Sequence, residues 1–170
     1  RPRHREAEAL RRIGHERLLD EQVETIAVCL INSYANGDHE WAIKGVIERL
    51  APDLLHSISA EVLPEISEYQ RTSTTVINAY VMPIVSRYLR QLSARLQGDG
   101  IKAPLLLMQS NGGLISAHVA ERKPANIIES GPAGGVVGAQ ALARKLDLPD
   151  IIPFAMGGTP AKASMVEDGE

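Results

Sequence analysis

Apolar residues occur along this chain in two forms, short continuous runs and stripes at three- and four-residue steps, the signals of strands and helices. Ala7, Leu10, Ile13 and Leu18 predict a short amphipathic helix in a strongly charged setting. The unbroken run at 26–31 predicts a buried strand. Asn36-Gly37-Asp38 then breaks the chain, with Asp38 a suitable N-cap for a helix whose face is Ala42, Ile43, Val46, Ile47 and Leu50. Pro52 should end that helix. A second strand is expected within 55–62. The longest periodic segment covers 67–96, where Ile77, Val81, Ile84, Tyr88, Leu92 and Leu96 form a helical stripe. Pro83 lies in its middle and is expected to kink or divide it.

The second half has a different texture. A strand at 104–108 leads into Gln109-Ser110-Asn111-Gly112-Gly113, a turn rich in glycine and side-chain amide. A short helix is expected after Ser116 and a strand near 126–128. A small-residue helix follows, with Pro132 near its start, where the missing N–H costs nothing. Gly134, Gly135 and Gly138 inside that helix cost about 1 kcal/mol each relative to alanine, so another backbone or a ligand should come close on that face. A final predicted strand at 151–154 enters Ala155-Met156-Gly157-Gly158-Thr159. Alternating strands and helices indicate an α/β architecture with at least some parallel sheet.

Both ends suggest an internal part of a longer protein. Arg1-Pro2-Arg3-His4-Arg5 has neither an initiator methionine nor the apolar core of a secretion signal. At the other end 161–166 alternates like a strand before Asp168-Gly169, a strong hairpin-turn signal, and the partner strand would lie beyond residue 170.

The formal charge of −3 gives no attraction for nucleic acid or an anionic membrane. No apolar stretch approaches the roughly 20 residues that span a bilayer. Cys29 is the sole cysteine, so an internal disulfide is impossible, and its apolar neighbours predict a small buried thiol. These features lead us to expect a cytoplasmic protein.

Among segments able to carry chemistry, the strand, Gly157-Gly158-Thr159 turn and strand at the C-terminal end is the most informative. Paired glycines expose backbone N–H groups to a phosphate, and a threonine hydroxyl adds a donor; a plain hairpin that binds nothing fits the same residues. Gln109, Ser110 and Asn111 stand at a strand end, where α/β proteins place ligands, or else form a turn that satisfies its own backbone. The run Thr72-Ser73-Thr74-Thr75 either faces a site or starts a helix. Glu129 is positioned to orient water near a phosphate, or simply to favour a helix dipole. The histidines at 4, 15, 39, 56 and 118 lack zinc-ligand spacing. No Gly-Lys-Ser/Thr follows a glycine loop, and Gly131 to Gly138 misses the dinucleotide spacing by one position.

Six segments together resemble the hydantoinase A and 5-oxoprolinase family. They are AVCLINSYAN at 27–36, SAEVLPEI at 59–66, YQRTSTTVINAYV at 69–81, LMQSNGGL at 107–114, ESGPAGGVVGAQALA at 129–143 and IPFAMGGTPAKASMV at 152–166. They follow the family's order from about residue 24 onward. The family includes N-methylhydantoinases, 5-oxoprolinases and the ATP-binding subunits of acetone and acetophenone carboxylases. The resemblance implies an actin-like, ribonuclease H-like ATPase fold, here partial, with a mixed sheet and flanking helices. It implies that 1–66 closes an N-terminal hydantoinase/oxoprolinase domain. Residues 67–170 would then begin the core domain, ending after its second phosphate loop.

The resemblance further implies that Gly157, Gly158, Thr159, Gly131, Gly134 and Gly135 bind ATP, with magnesium as the second cofactor. Gln109, Ser110 and Asn111 would stand near substrate. Ala155 occupies the position of the family's catalytic, metal-linked aspartate, and Glu129 is a weaker catalytic candidate. Ala155 lacks the hard oxygen ligand that positions hydrated magnesium. Pro160, where the family usually has Thr or Ser, removes a hydroxyl and a backbone donor. The implied activity of the parent protein is ATP-dependent opening of a cyclic imide or lactam through carbonyl phosphorylation. The alternatives are an acetone- or acetophenone-type carboxylase subunit, and a scaffold of the same fold without turnover. A hydantoinase B-type subunit or domain is the expected protein partner, and a cyclic amide or ketone the expected substrate.

Overall fold

The computed structural model describes residues 23–158 and 161–169; the helix expected from Ala7 to Leu18 lies outside them, as do Thr159 and Pro160. The chain divides into two compact units, Arg1–Leu92 with Glu121–Ala125, and Ser93–Ala120 with Asn126–Glu170.

In the first unit β1 (Thr25–Val28) and β2 (Leu55–Ile58) pair in parallel, from Thr25 opposite Leu55 to Val28 opposite Ile58. Parallel neighbours need a crossover, and the helix Asp38–Leu50 supplies it. Its N-cap is Gly37, not Asp38 as expected; Asp38 is the first helical residue and its N–H donates to the Asn36 side chain at 2.9 Å. A Cβ at Gly37 would lie 2.8 Å from Cβ of Ala60, so glycine is required by the close approach of the next element. β1 is shorter than the apolar run at 26–31, and β2 lies within the expected 55–62. β1 stops at Val28 because the chain turns at Asn32, which has φ +61° and accepts the Ala35 N–H at 3.0 Å. β2 stops at Ile58, where the short helix Ser59–Val62 begins.

The predicted periodic segment is one helix, Glu68–Gly98, which Pro83 does not divide. The helix buries a different face from the predicted stripe. Its buried residues are Arg71, Thr75, Asn78, Ala79, Met82, Ser86 and Leu89, while Ile77, Ile84 and Tyr88 are exposed. Hydropathy missed this face because its polar members make hydrogen bonds, Arg71 Nε alone among their buried side-chain nitrogens and oxygens having none. Asn78 Nδ2 donates to Ser57 Oγ and to the Arg122 carbonyl, both at 3.0 Å, and Asn78 Oδ1 accepts the Ala125 N–H at 3.0 Å. Ser86 Oγ donates to the Glu121 carbonyl at 3.2 Å. The buried stripe continues on both sides of Pro83, so side-chain contacts hold the helix across the lost backbone bond.

Glu61 joins this unit by charge. Its carboxylate accepts from Lys44 Nζ at 2.6 Å and from Arg122 Nη2. Burial alone would raise its pKa; the Lys44 bond and charge, with Arg122, outweigh burial and hold it below the usual carboxylate range. A depressed folded pKa stabilises the protein above the unfolded value of about 4.3, and that contribution disappears as pH falls through the lower folded value. Glu61→Gln should therefore destabilise the unit by about 1–3 kcal/mol at pH 7. The difference from wild type should shrink below about pH 4 in urea titrations run across that range.

In the second unit β3 (Leu106–Met108) and β4 (Leu114–Ser116) form an antiparallel hairpin, and β5 (Phe154–Met156) and β6 (Ala161–Ala163) form another. The Ile151–Val166 bridge extends the latter. Parallel and antiparallel pairings thus occupy separate two-stranded sheets, not the one mixed sheet expected. The helix Ala117–Arg122 follows β4, as predicted. Instead of the strand expected at 126–128 the chain forms a 3-10 turn, Pro124–Ile127. Buried Pro124 has a fixed φ and no N–H to give a ladder. The small-residue helix is Ser130–Lys145. Its C-terminal half is tied to Gly169, whose carbonyl accepts from Gln140 Nε2 at 2.9 Å and Arg144 Nη2 at 2.7 Å. Asp168 and Gly169 have φ of +52° and +81°, the left-handed pair that an Asp-Gly hairpin turn requires.

Candidate active site

The β5–β6 hairpin carries Gly157 and Gly158 at its turn. Both are exposed, and a Cβ at either would meet nothing within 4 Å. The space over the turn is open, as an approaching phosphate requires. Thr159, the third predicted phosphate ligand, is outside the described residues.

Ala155 lies directly opposite Lys162 in the β5–β6 register, so the two side chains share one face of the hairpin. That face meets the small-residue helix, where a Cβ added at Gly135 would lie 3.9 Å from Cβ of Ala155. Lys162 Nζ donates to the Glu129 carboxylate at the N-cap of the same helix. Glu129 N–H in turn donates to Ser110 Oγ at 3.0 Å. Four predicted residues, Ala155, Glu129, Ser110 and Gly135, are thereby linked into one group through Lys162, which hydropathy and motif reading did not single out. Its signal lies in the register: with Met156 opposite Ala161, position 162 opposes 155.

The other candidates stand at the margins of this group. Gly134 faces the Met108 side chain, where an added Cβ would lie 3.7 Å from Cγ; β3 and β5 approach the helix at Gly134 and Gly135 at ordinary contact distance. A Cβ at Gly131 or Gly138 would meet nothing within 4 Å. The Gln109 turn makes internal bonds. Asn111 Oδ1 accepts the Gly113 N–H at 2.9 Å, and the Gln109 N–H donates to the Gly113 carbonyl at 2.7 Å. Gly112 has φ +85° and faces Val137, 3.2 Å from where its Cβ would be.

A second polar group, in the first unit, gathers beyond the carboxyl ends of β1 and β2. Glu40 is fully buried. Its Oε1 accepts from Leu30 N–H and Ser59 Oγ, and its Oε2 from Ala60 N–H, each at 2.7 Å. Arg71 is 1% exposed. It donates to the Leu30 carbonyl at 2.8 Å and the Glu65 carbonyl at 3.1 Å, and stacks 5.6 Å from the Tyr34 ring. Cys29 is half-buried, not buried as expected, because β1 has already ended at Val28. Its Sγ lies 3.0 Å from Thr72 Oγ1. Burial would raise the thiol pKa, but hydrogen bonds from Thr72, Ser59 and Arg71, with the Arg71 charge, bring it below its ordinary value. In the helix-start run, Thr75 Oγ1 donates to the Arg71 carbonyl at 2.7 Å. Motif reading missed Glu40 and Arg71, whose partners are backbone, hydroxyl, thiol and ring groups, most of them distant in sequence.

The described residues do not fit magnesium. No group of three or more His, Cys, Asp or Glu side chains able to hold a metal occurs among them. The side chain facing the helix at 155 is a methyl, and the Glu129 carboxylate is engaged by an ammonium ion. No described helix is long and apolar enough to cross a membrane.

The Hydantoinase/oxoprolinase family profile matches residues 71–170. The chain is 33% identical over 150 residues to the caprolactamase subunit alpha of Pseudomonas jessenii, covering 88% of this chain and 22% of the relative. The crystal structure of that organism's ATP-dependent caprolactamase superimposes with a TM-score of 0.78, over 87% of this chain and 21% of the other. Identity to the 5-oxoprolinase of Saccharomyces cerevisiae is 32% over 149 residues, 86% of this chain and 11% of that protein. A nucleotide-free acetone carboxylase structure matches at 29% identity with a TM-score of 0.76, over 90% of this chain and 22% of that one. The chain thus spans about a fifth of the caprolactamase and carboxylase chains and shares their α/β fold. A profile match over most of the chain, with the small-residue helix and glycine hairpin in place, shows that this protein belongs to the hydantoinase/oxoprolinase family.

Proposed function

We propose that this chain is part of a larger cytoplasmic enzyme that uses ATP to activate a poorly electrophilic carbonyl, with a cyclic imide or lactam as substrate. The observation that carries the reading is the open Gly157-Gly158 turn beside the helix Ser130–Lys145, an arrangement that fits the actin-like ATPase frame implied by the family resemblance. Bound ATP would supply a phosphoryl group that turns the carbonyl oxygen into a leaving group. The protein's task is then positioning and charge neutralisation. The backbone N–H groups of Gly157 and Gly158 would hold phosphate oxygens. Ser110 holds the N-terminal end of the helix through Glu129 N–H, and Gln109 and Asn111 line the neighbouring turn, where substrate would approach. Exposed Phe154, Met156, Ile152 and Met165 form an apolar surface of the kind that other parts of an enzyme or a B-type partner subunit cover.

A second reading, a nucleotide-binding scaffold with little turnover, is favoured by Ala155, a methyl at the position where the resemblance implies the family's acid. Ring opening coupled to ADP release in the full-length enzyme distinguishes the two. Wild type should hydrolyse ATP slowly with hydantoins or lactams present. Ala155→Asp combined with Lys162→Met, which gives the face a carboxylate unopposed by an ammonium ion, should raise that rate by about a hundredfold or more. Absence of substrate-dependent ADP release from both proteins would overturn the hydrolase reading. Release stimulated only by a ketone with bicarbonate would assign the carboxylase reaction.

A further inference from the structure

We propose that Lys162 takes the place of the divalent cation, so that the Gly157-Gly158 turn binds the phosphates of a nucleotide without metal. The inference rests on the nucleotide reading above and specifies how its phosphate site is built. It starts from the misfit between the residues present and magnesium. A metal-linked phosphate site needs a carboxylate to hold the hydrated ion, and here that position is a methyl group.

Directly across the ladder stands an ammonium ion. A carboxylate at 155 beside an ammonium at 162 would form an ion pair of its own; a methyl at 155 leaves Lys162 free of any acid on its own hairpin. The acid that Lys162 does meet, Glu129, comes from the helix N-cap and is half-exposed. Such a pair holds the ammonium on the face shared with Ala155, one ladder pair from Met156–Ala161 at the turn end of the hairpin, and is weak enough in water for a phosphate to compete for it. The phosphate would exchange one carboxylate for two or three oxygens on the same cation while the Gly157 and Gly158 N–H groups approach from the turn. One positive charge beside the phosphates then remains whether or not a metal is present. A compact, strongly hydrated ammonium on a flexible stem is suited to this use as a point charge.

Calorimetric titration of ATP into the full-length enzyme, once with EDTA and once with magnesium, tests this. The affinities should agree within about threefold, since charge neutralisation by Lys162 needs no ion. Lys162→Met should weaken binding about tenfold or more in EDTA, the loss of one charge-assisted contact. Lys162→Arg should retain binding, which separates the charge from a structural role, and Glu129→Gln should tighten it by releasing the ammonium. The Ala155→Asp, Lys162→Met double variant should bind only with magnesium. Tenfold or greater magnesium dependence in wild type would overturn the inference and leave the nucleotide reading standing, as would unchanged affinity in Lys162→Met. Absence of ATP binding in both buffers would overturn the two together.

Discussion

Glu40→Gln is expected to lower stability by about 3 kcal/mol, although it changes only one oxygen to an amide nitrogen. The three donors around Glu40 use both of its oxygens, two on Oε1 and one on Oε2. An amide has one acceptor oxygen, so either orientation turns an NH2 group toward an N–H that needs an acceptor. If the oxygen keeps Leu30 and Ser59, the Ala60 N–H is left unpaired against another donor. The reverse orientation strands the Leu30 N–H, while the Ser59 hydroxyl can turn to Ser33 Oγ, 2.9 Å away. Each buried unsatisfied group costs about 1–3 kcal/mol, and Glu40 and Ser59 are both at 0% exposure. Urea unfolding monitored at Trp41 should show a lower midpoint with an unchanged slope. A midpoint equal to wild type would mean that the carboxylate is not the clasp between the β1 exit and the Ser59 turn.

The second large effect is expected at Asn78. Asn78→Leu keeps the number of side-chain heavy atoms and raises hydropathy at a fully buried position, which a view based on apolar burial would count as stabilising. It should instead cost about 2–4 kcal/mol, because the Ala125 N–H and the Arg122 carbonyl lose their partner. These two groups belong to the segment Glu121–Ala125, which the first unit receives from far along the chain. Native-state hydrogen exchange should therefore show Ala125 N–H losing protection before the β1–β2 amides do. Equal protection at Ala125 in wild type and Asn78→Leu would remove Asn78 from this role.

These residues show where sequence reading reached and where it stopped. The apolar runs and stripes located β1, β2, the crossover helix and the long helix, since two-residue and 3.6-residue periods survive in a single sequence. The buried face of the long helix was not legible. Arg71, Asn78 and Ser86 are met by carbonyls and hydroxyls far along the chain, Thr75 bonds the Arg71 carbonyl one turn back, and hydropathy has no term for either. The strand expected at 126–128 gave way to a 3-10 turn under the constraint of Pro124. The glycine hairpin was visible as a motif, and Ala155 stood out by departing from it. Lys162 was not singled out, because its meaning comes from register: only the pairing of β5 with β6 sets it opposite Ala155 and within reach of Glu129.

The most direct test of the account is a structure of the full-length enzyme with a non-hydrolysable ATP analogue. The account predicts terminal phosphate oxygens within about 3 Å of the Gly157 or Gly158 N–H groups and of Lys162 Nζ, with Glu129 displaced from the ammonium. An analogue bound away from the β5–β6 hairpin, or phosphates there with the Lys162–Glu129 pair intact, would contradict it.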